Sequence, residues 1–336
     1  MAENNYDVII VGAGPAGLAC ALELSDSDLS VLIVDKNKIL GTKPCGGGIC
    51  EKEVAVEYDP SFVKIISKQI IQQGNSKVTL THKYKRITFE REDLAKYQEG
   101  KILGKKNITI MKETMVEKIT AEKILTSKGE FSYKYLIGAD GATSTVRRYL
   151  GLPFKYCFGM LYKIWGDYDE FVGYYDIAKI KLGYIWEFPH PTYNNIGIYF
   201  DPTNLKAADA KAELQAYLKK RNYKFDEKDF VAAPVNYCYK GHKFENIFLI
   251  GDAGGFTSRM HGGGMNNGII SGSEVARMIK NPKYFSKEIT QLVKDKANED
   301  KILDFALKLP NWMLKIIGDC LVRLYKIPYF QKVMPF

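Results

Sequence analysis

An α/β fold is predicted by three features: a run of β-branched residues that stops on regularly spaced glycines, two later apolar strands that end on an acid beside glycine, and an alternating, aromatic-rich middle segment. Together they describe a Rossmann-like dinucleotide domain with an inserted antiparallel sheet and helices at the end of the chain. The first of these features is YDVIIVGAGPAG, Tyr6 to Gly17, in which Val8, Ile9, Ile10 and Val11 read as a buried parallel strand. Gly12, Gly14 and Gly17 follow in G-x-G-x-x-G spacing. The first permits a tight turn, the second lets backbone approach a pyrophosphate, and the third lets the next helix, Pro15 to Leu24, pack close. That helix turns its free N–H groups and positive dipole end toward the anion. A second strand, Leu29 to Val34, ends at Asp35, where an acid can accept hydrogen bonds from both ribose hydroxyls of an adenosine. At this point FAD and NAD(P) both fit.

At 336 residues the chain has room for two domains or for one with a large insertion. Its 46% hydrophobic and 26% charged content is that of a folded protein, and its net charge is +9. A basic surface suits anionic lipid or a phosphorylated substrate as well as plain solvation. No compact Lys/Arg run is interleaved with aromatics, which argues against nucleic acid. Cys20, Cys45, Cys50, Cys157, Cys238 and Cys320 form no CxxC pair and no metal-ligand spacing, so a reducing cytosol and no metal are expected. Because the first strand starts within six residues of the start, no signal peptide is expected. No uncharged apolar run approaches spanning length, so a cytoplasmic protein that meets a membrane only from the side is expected.

After Asp35 the loop NKILGTKPCGGGIC is dense in glycine. Gly46, Gly47 and Gly48 would let the main chain lie flat against a ligand ring with the Cys45 thiol beside it. A flexible loop with an incidental thiol fits equally well. ISKQII, KVTLTH and RITFE alternate as strands. Arg91 then opens a helix, REDLAKYQEGKIL, where a cation is misplaced unless an anion such as a pyrophosphate is near; an exposed surface arginine is the simpler reading of the residue alone. A meander follows, and its last strand, Tyr135 to Ala139, closes on Asp140 and Gly141. Ser144 reads as part of the next helix's first turn, and Arg147 as an anchor for that turn.

From 151 to 240 aromatic strands dominate, interrupted by a helix from Lys206 to Lys220. In GYIWEFP the alternation places Tyr184, Trp186 and Phe188 on one face, either core or the wall of a long apolar pocket. NIFLIGD is another apolar strand, ending on Gly251 and Asp252, and a helix from near Gly264 would aim its N–H groups at negative charge. Residues 285–336 read as amphipathic helices, with ordinary packing favoured over an interfacial role.

GAGPAG with Asp35, DGATSTVR and GDAGG, in that order, resemble the three nucleotide fingerprints of the flavin hydroxylase fold. KPCGGG, YIWEFP and GDAGGFTSRMHGGGMNNGIISG resemble the geranylgeranyl reductase branch of that superfamily, over Tyr6 to about Lys280. The resemblance implies a glutathione reductase/p-hydroxybenzoate hydroxylase-like FAD domain from residues 1–65, 88–150 and 241–283. It implies a substrate sheet from 66–87 and 151–240, and a helical segment from 284–336. FAD would be held by Gly12, Gly14, Pro15, Ala16, Gly17, Asp35, Lys36, Arg91, Asp140, Gly251 and Asp252, with Gly263, Gly264 and Met265 against the isoalloxazine. Cys45, Gly46 and Gly47 would lie between flavin and substrate, and Tyr184, Trp186, Phe188 and Arg259 would contact substrate.

The implied reaction is reduction of isoprenoid double bonds by flavin hydride plus a proton. Cys45 and His261 are the candidate catalytic residues, and NADPH, ferredoxin or another reductase is the external electron donor. His261 also reads as a hydrogen-bonded loop residue. A flavin monooxygenase and a non-catalytic prenyl-binding escort on the same fold are the alternatives. The long aromatic strand argues against the first, and the intact glycines and acids against the second. Where the family's last motif reads Pro-Leu-Thr-Gly-Glu-Gly-Ile, this chain has RMHGGGM, so its own specificity is expected at Arg259 and His261.

Overall fold

The computed structural model describes residues 4–50, 55 and 57–327. The chain begins with β1 (Asn5–Val11), α1 (Pro15–Leu24), β2 (Val31–Val34), β3 (Gly48–Cys50), β4 (Lys64–Gln73), β5 (Ser76–Thr88) and α2 (Arg91–Ile102). The meander β6 (Ile108–Met111), β7 (Val116–Ile119), β8 (Lys123–Thr126) and β9 (Gly129–Gly138) leads to α3 (Thr145–Tyr149). Next come β10 (Tyr156–Trp165), β11 (Phe171–Tyr175), α4 (Ile177–Ile180), β12 (Tyr184–Pro189), β13 (Tyr193–Phe200), α5 (Ala207–Lys220) and β14 (Val231–Asn236). The chain then forms β15 (Lys243–Phe244), β16 (Ile247–Leu249), α6 (Gly251–Gly254), α7 (Met265–Lys280), α8 (Lys287–Ala306) and α9 (Asn311–Leu324).

The first sheet runs β15-β16-β9-β1-β2-β6, with β7 and β8 beside β9. β1 pairs parallel with both β2 and β9, which puts the ends of all three at one edge of the sheet. Val8 and Ile10 pack into the core shared with α1 and α7, whereas Ile9 and Val11 pack into the core on the opposite face. A central parallel strand covered on both sides needs apolar residues at every position, which accounts for the unbroken VIIV run. Each such side chain contributes about 1.5–3 kcal/mol on full burial. α1 and α7 cross closely because small residues meet there: a Cβ built on Gly272 would lie 2.2 Å from the Ala16 carbonyl oxygen.

The second sheet runs β14-β10-β13-β12-β11-β4-β5-β3. It is antiparallel except for β11 beside β4, a pair supplied by distant parts of the chain. α5 covers one face, burying Leu214 and Leu218 with Ile185, Ile196 and Ile198. The other face carries Trp186, Tyr199 and Tyr237. α9 closes one end through Val322 and Tyr325, which pack on Ile71, Val78 and Leu80.

This sheet takes in more of the early chain than expected. β3 and the first residues of β4 were assigned by sequence to the dinucleotide unit, yet β3 pairs with β5, placing Gly48 opposite Thr88. A period of two identifies a strand but not its sheet. The expected helical tail at 328–336 and residues 51–54 and 56 lie outside the described residues. Among the described residues no helix is long and apolar enough to cross a membrane.

Candidate active site

The glycine turn after β1 has the geometry its spacing requires. Gly12 adopts φ +103°, and a Cβ there would lie 2.5 Å from the Ala139 carbonyl oxygen at the end of β9. A Cβ on Gly17 would lie 2.0 Å from Gly12 O, so only glycine lets α1 start this close to the strand. Gly14 caps α1 without a side-chain bond, and Pro15 occupies the first turn, where the missing N–H is not needed. The α1 N-terminus is therefore left open to an anion. Ala16 is buried against Gly251 and Gly268 and belongs to the α1–α7 contact.

Asp35 accepts from Ala13 N at 2.7 Å through Oδ2 and from Asn37 N at 2.8 Å through Oδ1. A carboxylate has about four acceptor sites, so one remains on each oxygen for a ribose hydroxyl. Lys36, next to it, is exposed. Arg91, at the start of α2, donates from Nη1 to Lys43 O at 3.3 Å. Its Nη2 would be 3.5 Å from a Cβ on Gly14, and its buried Nε has no partner among the described residues. A guanidinium over the glycine turn with an unused N–H suits a pyrophosphate.

Asp140 accepts from Thr145 N at 2.6 Å through Oδ2, while Oδ1 is buried and unpartnered among the described residues. Desolvation pushes its pKa up, against the hydrogen bonds that favour the anion. The two orphaned atoms, Arg91 Nε and Asp140 Oδ1, and the glycine cradle between them fit FAD. Ser144 caps α3 by accepting from Arg147 N, and the buried Arg147 guanidinium holds the carbonyls of Pro153, Ala253 and Cys238, the anchoring role expected of it.

Asp252 likewise accepts one hydrogen bond on each oxygen and keeps an acceptor site on each. Lys43 Nζ lies 2.5 Å from its Oδ2, and Thr257 Oγ1 donates to its Oδ1 at 2.6 Å. Burial alone would raise its pKa, but the Lys43 charge and these hydrogen bonds hold it below the usual carboxylate range. Gly251 N donates to Ser271 Oγ. Gly264 caps α7 with no side-chain bond, and a Cβ there would lie 2.8 Å from Thr257 Oγ1 and 3.0 Å from Asp252 Oδ1. Gly263 precedes it, and Met265 packs its half-buried side chain on the Ile87, Phe89 and Ile269 cluster.

Across the site, the Cys45 loop meets the aromatic strand. Tyr184, Trp186 and Phe188 do share one face of β12, as the alternation requires. A Cβ on Gly46 would lie 2.9 Å from the Phe188 ring and 3.2 Å from Trp186 Nε1. Ring centroids step from Phe188 to Trp186 at 6.0 Å, to Tyr184 at 6.1 Å and on to Tyr175. Burial raises the Tyr184 pKa, and its hydroxyl donates to His261 O at 2.8 Å. The half-buried Cys45 Sγ accepts from Gly47 N at 3.5 Å.

The expected substrate residue Arg259 and the catalytic candidate His261 both have acidic partners. Arg259 was expected to contact substrate, but its guanidinium pairs with Asp201 Oδ2 at 3.2 Å and Asp304 Oδ1 at 2.7 Å, tying its loop to β13 and α8. His261 has a 57% exposed side chain whose Nδ1 accepts from Gly263 N and whose Nε2 is 3.7 Å from Glu299 Oε1 on α8. The sequence could not show that α8 carries acids to this loop. Lys43, Asn195 and His190 were missed. One signal was available: Asn194 and Asn195 are polar residues inside β13, an otherwise apolar and fully buried strand.

The family described as Pyridine nucleotide-disulphide oxidoreductase matches residues 6–146. An uncharacterised protein of Methanosarcina barkeri is 31% identical over 300 residues, covering 82% of this chain and 75% of that protein. A digeranylgeranylglycerophospholipid reductase of Methanococcus vannielii is 26% identical, covering 86% and 81% of the two chains. A solved structure described as geranylgeranyl bacteriochlorophyll reductase-like, from Thermoplasma acidophilum, superposes with a TM-score of 0.74 at 20% identity over 94% of this chain and 88% of that one. With these relatives, the chain belongs to the geranylgeranyl reductase family of FAD-dependent oxidoreductases.

Proposed function

We propose that this enzyme reduces carbon–carbon double bonds of an isoprenoid chain carried on a lipid or on diphosphate. The observation that carries the reading is the aromatic wall of Tyr184, Trp186 and Phe188 packed on the Cys45–Gly46 loop. When bound and reduced, FAD supplies a hydride from N5. An isolated trialkyl alkene is a poor hydride acceptor, so a proton must reach the other carbon. We assign that proton to Cys45 Sγ, since the His261 imidazole is exposed and bound toward Glu299. The wall excludes water and faces the positive charge that develops on the chain, which is worth about 1–2 kcal/mol when desolvated.

In this reading the first sheet with α1, α2 and α7 binds the dinucleotide, and the second sheet from β3 onward binds the chain. α9 closes one end of the second sheet. Electrons come from an external donor, NADPH, ferredoxin or a reductase, because the chain has one G-x-G-x-x-G turn of this kind. Sideways contact with a membrane belongs to the same reading. The outer face of α9 exposes Trp312 (62%) and Ile316 (54%), with Lys315, Arg323 and Lys326 also exposed on this helix and just beyond it.

The test is incubation of the dithionite-reduced holoenzyme with a geranylgeranylated glycerophospholipid or with geranylgeranyl diphosphate, followed by mass spectrometry. The expected result is a gain of one H2 per reduced bond in one of the two. No gain in either, with a small aromatic substrate hydroxylated at the expense of oxygen, would overturn the reading in favour of a monooxygenase.

A further inference from the structure

Cys45, Gly46 and Gly47 present three consecutive carbonyl oxygens, and each has a donor from outside the loop. Asn195 Nδ2 donates to Cys45 O at 2.9 Å, His190 Nε2 lies 3.0 Å from Gly46 O, and Phe89 N donates to Gly47 O at 3.2 Å. A carbonyl can only accept, so His190 carries its proton on Nε2. Its Nδ1 is buried with no partner among the described residues, and burial lowers its pKa. The ring stacks on Tyr193 at 4.7 Å and 10°. The Tyr193 hydroxyl bonds Glu90, which also accepts from Lys163 at 2.9 Å and immediately precedes Arg91. Gly47 adopts φ +71°, and a Cβ there would lie 2.7 Å from His190 Cε1, so the imidazole fits against a residue that has to be glycine.

Asn195 makes a second bond. Its Oδ1 accepts from Trp186 Nε1 at 2.9 Å, so one amide joins the aromatic wall to the loop. A segment with three successive glycines is the most mobile backbone a chain can offer, and its position must come from outside. We infer that Asn195 and His190 are positioning residues that fix the Cys45–Gly47 loop, and with it the Cys45 thiol, against the aromatic wall. The inference rests on the assignment of Cys45 to the reaction site.

The test uses the FAD-loaded protein in a C320S background, where Cys45 is the half-buried thiol among the otherwise buried cysteines. N195D keeps the acceptor for Trp186 but loses the donor to Cys45 O. H190F keeps a ring against Gly47 but loses the Nε2 proton, and H190Q restores an N–H. Alkylation of Cys45 by N-ethylmaleimide is expected to speed up about 5-fold or more in N195D and H190F, with H190Q within about 3-fold of the parent, in keeping with the loss of one buried hydrogen bond. Turnover should fall by about 10- to 100-fold in N195D and H190F with little change in KM, as loss of alignment at a reacting group does. Should H190F not fold, H190A with and without added imidazole takes its place, imidazole restoring slow labelling. Parental labelling rates in both N195D and H190F overturn the inference whatever the substrate is. Faster labelling in an enzyme that reduces no isoprenoid leaves the positioning role standing and refutes the substrate reading instead.

Discussion

Lys43 and Asp252 form an ion pair, Nζ 2.5 Å from Oδ2, that joins the glycine-rich loop after β2 to the first turn of α6. The two residues are 209 positions apart, and both lie where the dinucleotide cradle meets the Cys45 loop. The pair holds the Asp252 pKa down despite burial. A carboxyl with a depressed folded pKa adds stability above its unfolded pKa, about 3.9, and that stability is lost as pH falls through the lower folded value. D252N should therefore melt at a lower temperature than the parent at pH 7. The gap should narrow in acid, as calorimetry across pH 2 to 7 would show; a constant gap would remove the ion pair as its cause.

Gly17→Ala should yield a colourless protein. The added Cβ would lie 2.0 Å from Gly12 O, a backbone atom that cannot swing away, so the α1 N-terminus must retreat from the glycine turn. Flavin absorbance per mole of purified protein is the readout, with FAD affinity expected to drop about 10-fold or more, as alignment of helix N–H groups on an anion is lost. Full retention of flavin would contradict this placement of the cofactor.

Cys45→Ala should retain flavin and lose turnover by about 100-fold or more, the scale of a general acid in the transition state. Cys45→Ser, with a hydroxyl in place of the thiol, should recover part of it. Single-turnover reoxidation of the reduced flavin by substrate measures the step directly, and parental rates in the alanine variant would move the proton donor elsewhere.

Glu187 projects from the face of β12 opposite the aromatic wall. Its carboxylate is 2% exposed and meets Tyr217 and Tyr223 hydroxyls at 2.5 and 2.7 Å, Asn194 Nδ2 at 3.2 Å and Arg221 at 3.2 Å. Glu187→Ala leaves the Tyr217 and Tyr223 hydroxyls and the Asn194 amide without their acceptor, at a cost of about 1–3 kcal/mol, while the exposed Arg221 returns to solvent. Urea unfolding should show the loss, with Glu187→Gln intermediate.

Trp312→Glu and Ile316→Glu place charge on the exposed face of α9, away from Leu314 and Val322, which hold the helix to the fold. Both variants should keep the parental melting temperature and lose most co-sedimentation with anionic phospholipid vesicles. Equal sedimentation of parent and variants would assign membrane contact to another surface.

Much of the dinucleotide site was legible because its signals are local. Backbone conformation at Gly12, close approach at Gly17, and an acid at each strand end are properties of a few adjacent residues, and the strand-turn-helix junctions formed where the sequence put them. Alternation likewise fixed the shared face of Tyr184, Trp186 and Phe188, since the pleat has a period of two. Tertiary structure alone decided which distant partners the site's side chains meet. It gave Asp252 to Lys43, turned Arg259 and His261 toward acids on α8, set β3 in the second sheet, and brought His190 and Asn195 onto the Cys45 loop. Each of these is a pairing between residues far apart in the chain, chosen by which donors and charges the packed layers bring within about 3 Å and shield from water.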